Sequence, residues 1–323
     1  MRKFIFKILF FIFPLVVLIL PLDYGISYFL SKSNQFPGEF EVMNDIYNSK
    51  ANCEVAIYGS SRAWVHIDPA IISDSLNLTA YNFGIDGHNF WLQYLRHLEL
   101  LKHNNKPKKI ILAVDLYSLQ KRDDLYESDQ FLPYMLWNKN IKKYTSSYKG
   151  YTKYDYEIPL IRYAGKFQAL KGSIKMLITG SSNKTYRDKG YLGMDLKWNS
   201  DFDTAKAEME SYEVKSHQQS IQLFETFIKE CKREKIDLIL VYTPEYIEGQ
   251  NFVSNRKEII QIYEDLSTKY SLTFYDYSTD EICLDKNLFY NASHLNKFGA
   301  ELFTRKLATD IKERENNISN YKK

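Results

Sequence analysis

Short apolar segments alternate with longer amphipathic segments along most of this chain, and this alternation constrains the fold more than any other feature. The apolar segments are rich in Val, Ile, Leu, Tyr and Phe and have the length of buried strands, whereas the intervening segments have helical periodicity. Strands that alternate with helices predict a parallel sheet covered by helices on both faces, an α/β fold. The predicted strands are 54–58, 80–83, 109–115, 237–242 and 272–276, and the predicted helices are 90–103, 216–235, 256–269 and 296–314.

The carboxyl ends of these strands are where a site is expected, because ligands of parallel α/β sheets bind at that edge. Four polar or glycine-containing segments follow predicted strands directly: 59–62, 84–88, 115–119 and 243–244. We therefore take the candidate functional residues from these segments first.

Ser61 is the predicted nucleophile. It is the third residue of Gly59-Ser60-Ser61, which follows the first strand, and a tight turn at that point exposes a hydroxyl at the sheet edge. Ser60 is the alternative hydroxyl. The tripeptide alone is also a common turn, so its interpretation depends on the base and orienting group that a nucleophilic serine needs.

His294 is the predicted base. Asn291 stands three residues before it and supplies a side-chain oxygen that can orient the imidazole. His88 is a rival base because it follows the second strand. His66 comes shortly after the first strand and is expected to shape that loop.

The segment 82–87, Asn-Phe-Gly-Ile-Asp-Gly, follows the second strand and carries two glycines. Glycine lets a backbone N–H approach a developing oxyanion closely. We predict that the N–H groups of Gly87 and Ser61 form an oxyanion hole. A plain turn leading into the next helix is the alternative.

With these three segments in place, the chain resembles the SGNH/GDSL hydrolase superfamily. That family has Gly-x-Ser in its first block, a glycine in its second, Gly-x-Asn-Asp in its third and a final Asp-x-x-His. Segments 59–61, 82–87 and 291–296 match the first, second and last blocks. The resemblance implies a flavodoxin-like three-layer α/β/α sandwich with a central parallel sheet of five strands. It also implies a serine esterase or O-acyltransferase that needs no cofactor and no metal.

The chain departs from the family pattern at two positions. Residues 112–117, Leu-Ala-Val-Asp-Leu-Tyr, lack the third block, and Asn291 occupies the position of the family's Asp. An amide can orient the imidazole but cannot offset its positive charge, and the same change costs a serine protease about ten-thousandfold in rate. Asp285 is a substitute carboxylate, and a Ser-His pair without a third member is another solution.

Three further residues near the predicted nucleophile are candidates for substrate binding: Arg62, His88 and Asp115. A guanidinium at position 62 can hold a substrate carboxylate or phosphate. It can equally pair with Asp86 or Asp115 to brace the loops.

Basic residues precede an uncharged apolar segment at the N terminus. Arg2, Lys3 and Lys7 stand before 8–22, and a membrane-spanning helix needs about 20 apolar residues. The segment approaches that length when counted from Phe4, which predicts an N-terminal transmembrane helix. No cleavage site of small residues follows, so an uncleaved signal anchor is favoured over a removed signal peptide or a buried core helix. The positive-inside rule then places the N terminus in the cytoplasm and the catalytic domain outside the cell membrane, in the periplasm of a Gram-negative cell.

The remaining segments complete the predicted domain organisation. Residues 120–215 interrupt the alternation and contain aromatic residues that favour a packed insertion or lid. The predicted parts are an anchor at 1–30, a linker at 31–50, an SGNH-like domain at 51–119 and 216–314, the insertion at 120–215, and a flexible tail at 315–323.

Composition excludes several other classes of protein. The net charge of +3 is too small to indicate nucleic-acid binding, and the three cysteines give neither a disulfide framework nor metal-ligand spacing. No glycine-rich phosphate loop follows the first strand, which disfavours a nucleotide-binding protein.

Two functional hypotheses follow. In the first, a membrane-anchored esterase or O-acyltransferase modifies a cell-surface glycan, with Ser61 acylated and His294 as base. The family resemblance adds a membrane-bound acyltransferase as a partner. In the second, Asn291 and the missing third block leave a weak or inactive protein that binds glycan or organises a polymer-modifying complex.

Overall fold

The structure, a computed structural model, describes residues 2–321. It gives no side-chain description for residues 2, 3, 5, 6, 8, 9, 11, 14–16 and 318–321. The chain divides into two compact units. The first unit comprises residues up to 44 together with 123–186, and the second comprises 45–122 together with residues from 187 onward.

The second unit is built around a parallel sheet of five strands in the order β2-β1-β3-β4-β5. This is the flavodoxin-like order, and the predicted five-stranded parallel sheet is confirmed. The order reverses between β1 and β3, so a crevice opens at the carboxyl ends of these neighbouring strands. The strands are β1 (Val55–Gly59), β2 (Ala80–Asn82), β3 (Lys109–Val114), β4 (Asp237–Tyr242) and β5 (Thr273–Asp276), followed by a short antiparallel pair, β6 (Phe289–Asn291) and β7 (His294–Leu295).

The helices lie close to their predicted positions wherever the sequence alternates. In chain order they are α1 (Arg2–Leu30), α2 (Glu39–Tyr47), α3 (Ser61–His66), α4 (Pro69–Leu76), α5 (Phe90–His103), α6 (Lys139–Thr145), α7 (Lys153–Glu157), α8 (Phe167–Thr179), α9 (Asp201–Glu208), α10 (Gln218–Arg233), α11 (Ile247–Phe252), α12 (Arg256–Tyr270) and α13 (Lys297–Tyr321). Short 3₁₀ turns cover Ser128–Phe131, Ile161–Tyr163, Glu281–Leu284 and Lys286–Leu288.

The core of the second unit forms because its central strands are buried on both faces, which explains their continuous apolar sequence. On one face, Ile57, Ile111 and Ile239 from three neighbouring strands belong to the same cluster as Phe303 and Leu307 of α13. This packing fixes α13, and with it the β6–β7 segment that immediately precedes it, over the sheet.

The first unit is held together by the second half of α1. Asp23 is buried and accepts two hydrogen bonds from Arg162, at 2.7 and 2.8 Å. Ser173 of α8 donates a hydrogen bond from Oγ to the Ile26 carbonyl at 3.0 Å. Charge-paired and small polar residues therefore join α1 to its neighbours in this unit.

The predicted N-terminal transmembrane helix is wrong. Among residues 2–321, no helix combines the length and the apolar character needed to cross a membrane. The helix that begins at Arg2 does not end with the apolar segment at Leu22 but continues to Leu30, through Asp23 and Ser27, whose side chains bind Arg162 within the first unit. The predicted anchor, 1–30, thus has the bounds of α1 but not its role, because its second half carries polar side chains that bind within the first unit.

The segment predicted as an insertion is divided between the units, with 123–186 in the first and the remainder in the second. The predicted linker contains α2. The predicted tail is helical as far as Tyr321, and its last two residues lie outside the described residues.

Candidate active site

Ser61 stands at the first turn of α3, immediately after β1. The chain turns sharply here because Gly59, at φ 150°, lies against β3: a Cβ on this residue would lie 2.7 Å from the Ala113 carbonyl oxygen. Ser60 is the N-cap of α3, and its Oγ accepts from the Arg62 N–H at 3.3 Å. The glycine and the cap together place Ser61 at the sheet edge.

Ser61, His294 and Asn291 form a continuous hydrogen-bonded chain. Ser61 Oγ lies 2.7 Å from His294 Nε2, although the two residues are 233 positions apart in sequence. His294 Nδ1 lies 2.9 Å from Asn291 Oδ1. Because that oxygen can only accept, Nδ1 carries the proton, which leaves Nε2 to accept the hydrogen bond from the serine hydroxyl.

The β6–β7 pair holds the imidazole in this orientation. Asn291 ends β6 and His294 begins β7, and Asn291 Oδ1 also accepts from the Ser293 N–H at 3.0 Å. The Tyr290 ring stacks on the His294 ring, with centroids 5.3 Å apart and planes inclined by 12°. The ring is thus fixed on one face as well as at Nδ1.

The pKa of His294 is lowered to about 3, mainly by burial of the ring and secondly by the positive charge of Arg62. No carboxylate in the chain of hydrogen bonds opposes this shift, because the third member is an amide. His294 is therefore neutral, the form that can accept a proton, throughout the ordinary pH range.

Ser60, the alternative hydroxyl, has a different partner. Its Oγ donates to Asp115 Oδ2, and Asp115 Oδ1 accepts from the Tyr117 N–H at 2.8 Å. Both side chains are buried. The structure thus brings Ser61, and not Ser60, to the imidazole, and it engages both oxygens of Asp115 within the protein.

Asn82 and two glycines shape the predicted oxyanion loop. The Asn82 side chain donates to the carbonyls of Ala63 and Ile67 at 2.8 Å and accepts from the Gly84 N–H at 2.9 Å. Gly87 has φ 64°, a conformation that favours glycine. Gly87 lines the same cavity as Ser61, and the oxyanion roles of their N–H groups stay predictions.

The Arg62 side chain is buried, and its guanidinium binds protein groups and is not exposed to a substrate. Its Nη1 lies 2.8 Å from Glu245 Oε1, its Nε donates to Thr243 Oγ1 at 3.1 Å, and its Nη2 donates to the Thr243 carbonyl. The bracing partner is therefore Glu245, and not Asp86 or Asp115 as the sequence suggested. Both partners of Arg62 lie just after β4, where only Thr243-Pro244 had been noted.

Two cavities border His294. The first, of about 180 Å³, also contains Ser61 and has a polar wall with His88, Asp115 and Arg122. The second, of about 320 Å³, has a lining that is mainly apolar and aromatic. Tyr117, Ser293 and His294 line both.

Sequence reasoning missed three parts of this site: Glu245, the hydrogen bonds of His66 and the walls of the larger cavity. A glutamate three residues after a strand carries no motif. The cavity walls come partly from 201–212, a segment without a family pattern. The sequence pointed to this side of the site only through Thr243, which directly follows a predicted strand.

The chain is similar in fold to several solved structures, whereas no protein-family model and no curated protein matches it. A G-D-S-L family protein from Desulfitobacterium hafniense has 13% identity and a TM-score of 0.39, covering 79% of this chain and 97% of that one. The acetyl xylan esterase AlAXEase has 12% identity and a TM-score of 0.39, covering 80% and 98%. A GDSL-like lipase from Bacteroides thetaiotaomicron has 9% identity and a TM-score of 0.37, covering 84% and 99%. The first and the third of these proteins are of G-D-S-L type, the type that the motifs of this chain resemble.

Proposed function

We propose that this chain is a serine-dependent enzyme of SGNH type that hydrolyses an acyl ester or transfers its acyl group. The observation that carries the proposal is the hydrogen-bonded chain from Ser61 Oγ through the His294 ring to Asn291 Oδ1. A serine hydroxyl, a neutral imidazole in the correct tautomer and an orienting oxygen are the three components of a nucleophilic serine site.

In the first step, Ser61 Oγ attacks the carbonyl carbon of the ester while its proton passes to His294 Nε2. The carbonyl π electrons move to the oxygen, which becomes an oxyanion. The N–H groups of Ser61 and Gly87 are the proposed donors to that oxyanion, since both residues line the same cavity. One such donor contributes on the order of 100-fold or more in rate.

Collapse of the tetrahedral intermediate breaks the bond to the alcohol oxygen, which takes the proton from Nε2. An acyl ester of Ser61 remains. Water or a second hydroxyl then attacks this ester, with Nε2 again accepting the proton. The bond from the acyl carbon to Ser61 Oγ breaks, and Oγ takes that proton from Nε2, which regenerates both residues. Hydrolysis and transfer differ only in which hydroxyl enters.

We propose a glycan hydroxyl as the alcohol component. The support is the polar character of the smaller cavity, whose lining contains Asn89, Gln120 and Arg122 together with Ser61. A sugar presents several hydroxyls that suit such groups, whereas a simple alkyl alcohol presents one.

The test is covalent labelling of the purified chain with a fluorophosphonate, followed by peptide mapping. Labelling at Ser61 is expected, together with its loss in Ser61→Ala and its retention in the control Ser293→Ala, which alters a neighbouring hydroxyl of the same cavity. A folded protein whose Ser61 stays unlabelled would refute the proposal. Hydrolysis of acetylated oligosaccharides, measured as released acid, tests the glycan component separately.

A second candidate is a glycan-binding protein without turnover, and the observation that favours it is the amide at position 291. An imidazole with a pKa of about 3 is a weak base, and Asn291 cannot stabilise the imidazolium. This candidate predicts saturable binding of an oligosaccharide by both wild type and Ser61→Ala, without phosphonate labelling in either. Labelling at Ser61 would exclude it.

A further inference from the structure

The larger of the two cavities beside His294 is walled by two helices that the family motifs do not include. Phe202, Ala205 and Met209 lie at positions i, i+3 and i+7 of α9 and the residue that follows it, so they share one face. Phe252, the last residue of α11, and Val253, which follows it, also line the cavity. The Phe202 and Phe252 rings meet edge to face, with centroids 5.6 Å apart.

Several polar groups in this lining are engaged within the protein. Glu245 pairs with Arg62, and the hydroxyl of Tyr242 also donates to it. Asp201 Oδ2 accepts from Asn199 Nδ2 at 2.7 Å, and Asn291 Oδ1 accepts from His294. The rest of the lining is mainly aromatic and aliphatic, which suits an apolar group better than a hydroxylated one.

α11 approaches the catalytic segment closely, and this closes one end of the cavity next to the imidazole. A Cβ on Gly249 would lie 2.8 Å from the Ala292 Cβ, so the helix backbone packs directly on the turn between Asn291 and His294. The cavity therefore begins at the imidazole of His294, whose Nε2 lies 2.7 Å from Ser61 Oγ, and its apolar walls extend from there.

We propose that this cavity binds the acyl part of the substrate and selects an acyl chain longer than acetyl. The proposal rests on the ester chemistry proposed for Ser61. A cavity of about 320 Å³ lies at the lower end of the range for small-molecule sites, which fits a chain of several carbons. Each buried methylene contributes about 0.8 kcal/mol, or about fourfold in kcat/KM.

The experiment compares wild type with Ala205→Trp, which fills the space between α9 and α11. Ala207→Trp is the matched control, because residue 207 is exposed on the same helix and does not line the cavity. The substrates are p-nitrophenyl acetate, butyrate, hexanoate and octanoate, and the probes are alkyl fluorophosphonates with the same range of chain lengths.

We expect kcat/KM, or the Ser61 labelling rate, to rise at least tenfold from acetate to hexanoate in wild type and in Ala207→Trp. Ala205→Trp is expected to abolish this rise, so that its kcat/KM, or its labelling rate, for hexanoate falls to about that for acetate. Equal rates for all chain lengths in wild type, or an unchanged preference in Ala205→Trp, would overturn the acyl-binding proposal. Failure of every probe to label Ser61 would instead overturn the ester chemistry itself.

A second, independent observation concerns His66, the last residue of α3. Its ring is completely buried, with Nδ1 2.9 Å from Thr243 Oγ1. Its Nε2 accepts a hydrogen bond from the N–H of Leu295 at 3.0 Å. Since Nε2 accepts, the proton is on Nδ1, which donates to Thr243.

These two bonds connect the elements that carry the proposed nucleophile and base. His66 ends the helix that begins with Ser61, and Leu295 is the residue after His294. Thr243 also accepts from Arg62, the neighbour of Ser61. We infer that His66 is a positioning residue that sets the distance between Ser61 Oγ and His294 Nε2 without touching the substrate.

Two amide substitutions test the two hydrogen bonds of His66 separately. In His66→Gln the amide oxygen can occupy the place of Nε2 and accept from Leu295, whereas in His66→Asn the amide nitrogen can occupy the place of Nδ1 and donate to Thr243. We expect His66→Asn to lower kcat or the labelling rate at least tenfold with KM within threefold of wild type. In His66→Gln, the rate (kcat or labelling) and KM should both stay within threefold of wild type.

Thermal unfolding of both variants controls for folding. Equal losses of kcat in the two variants, or a lower melting temperature in His66→Asn with unchanged kcat, would show a purely structural residue and overturn the inference.

Discussion

Arg62 and Glu245 form a buried ion pair beside the proposed nucleophile, with Nη1 2.8 Å from Oε1 and side chains only 4% and 6% exposed. The charge of the residue next to Ser61 is thus neutralised by the protein rather than by a substrate. The pair also connects the start of α3 to the segment after β4, so it braces two sides of the crevice.

Removing one partner of this pair is expected to destabilise the fold. Glu245→Gln leaves the Arg62 guanidinium buried without its counter-charge, which costs about 3–5 kcal/mol in the free energy of unfolding. The double variant Arg62→Met, Glu245→Met should recover most of this loss. Urea unfolding measures the free energy of unfolding of the single and the double variant. Glu248→Gln, at an exposed residue, is the control. A loss in Glu245→Gln no larger than in the control would contradict the prediction.

Restoring the carboxylate at position 291 is expected to strengthen the base. In Asn291→Asp the negative charge beside Nδ1 stabilises the imidazolium, which raises the pKa of His294 from its depressed value. We expect the Ser61 labelling rate at pH 8 to increase at least tenfold. Asn296→Asp, between β7 and α13, is the matched control. No increase in Asn291→Asp would show that the amide already suffices.

The rate of the wild-type reaction is expected to change little between pH 8 and pH 5. The pKa of His294 is lowered to about 3, so the ring stays neutral and able to accept a proton over this whole interval. A histidine with the ordinary pKa of about 6.5 would lose about 30-fold by pH 5. Labelling rates measured at half-unit steps of pH distinguish a nearly flat profile from the steep loss that an ordinary histidine would show. In Asn291→Asp, the acid limb should move to higher pH.

Gly84 is expected to tolerate no side chain. A Cβ there would lie 2.5 Å from the Trp64 amide nitrogen and 2.9 Å from the Ala63 Cβ, against the first turns of α3. Gly84→Ala should therefore cost about 1–3 kcal/mol in stability and slow Ser61 labelling, because the loop that carries Gly87 must shift. Gly25→Ala, where no atom lies within 4 Å of the added Cβ, is the control. Similar stability and labelling in the two variants would refute this account.

The sheet could be predicted from sequence because each central strand is buried on both faces and therefore appears as a short apolar run. The contact between Ser61 and His294 could be anticipated because Ser61 follows the first strand of the parallel sheet and His294 stands in the last block of the family pattern. These signals are local patterns with a fixed geometric meaning.

The ion pair of Arg62 could not be predicted, since the identity of a buried partner depends on how the loops after separate strands pack. Glu245 competes with Asp86 and Asp115 on equal terms in the sequence, and only the packed structure distinguishes them. At the N terminus, the apolar run suggested a membrane helix because its pattern gives no information about Arg162, which binds the buried Asp23.

The wall between the two cavities has a consequence for inhibitor design. Since Ser293 and His294 border both spaces, a boronic acid captured by the serine oxygen would have room for two substituents that diverge, one an alkyl arm and the other a polyol. Such a compound would gain affinity from both arms at once. The loss of affinity on removal of either arm would measure how much each cavity contributes to binding.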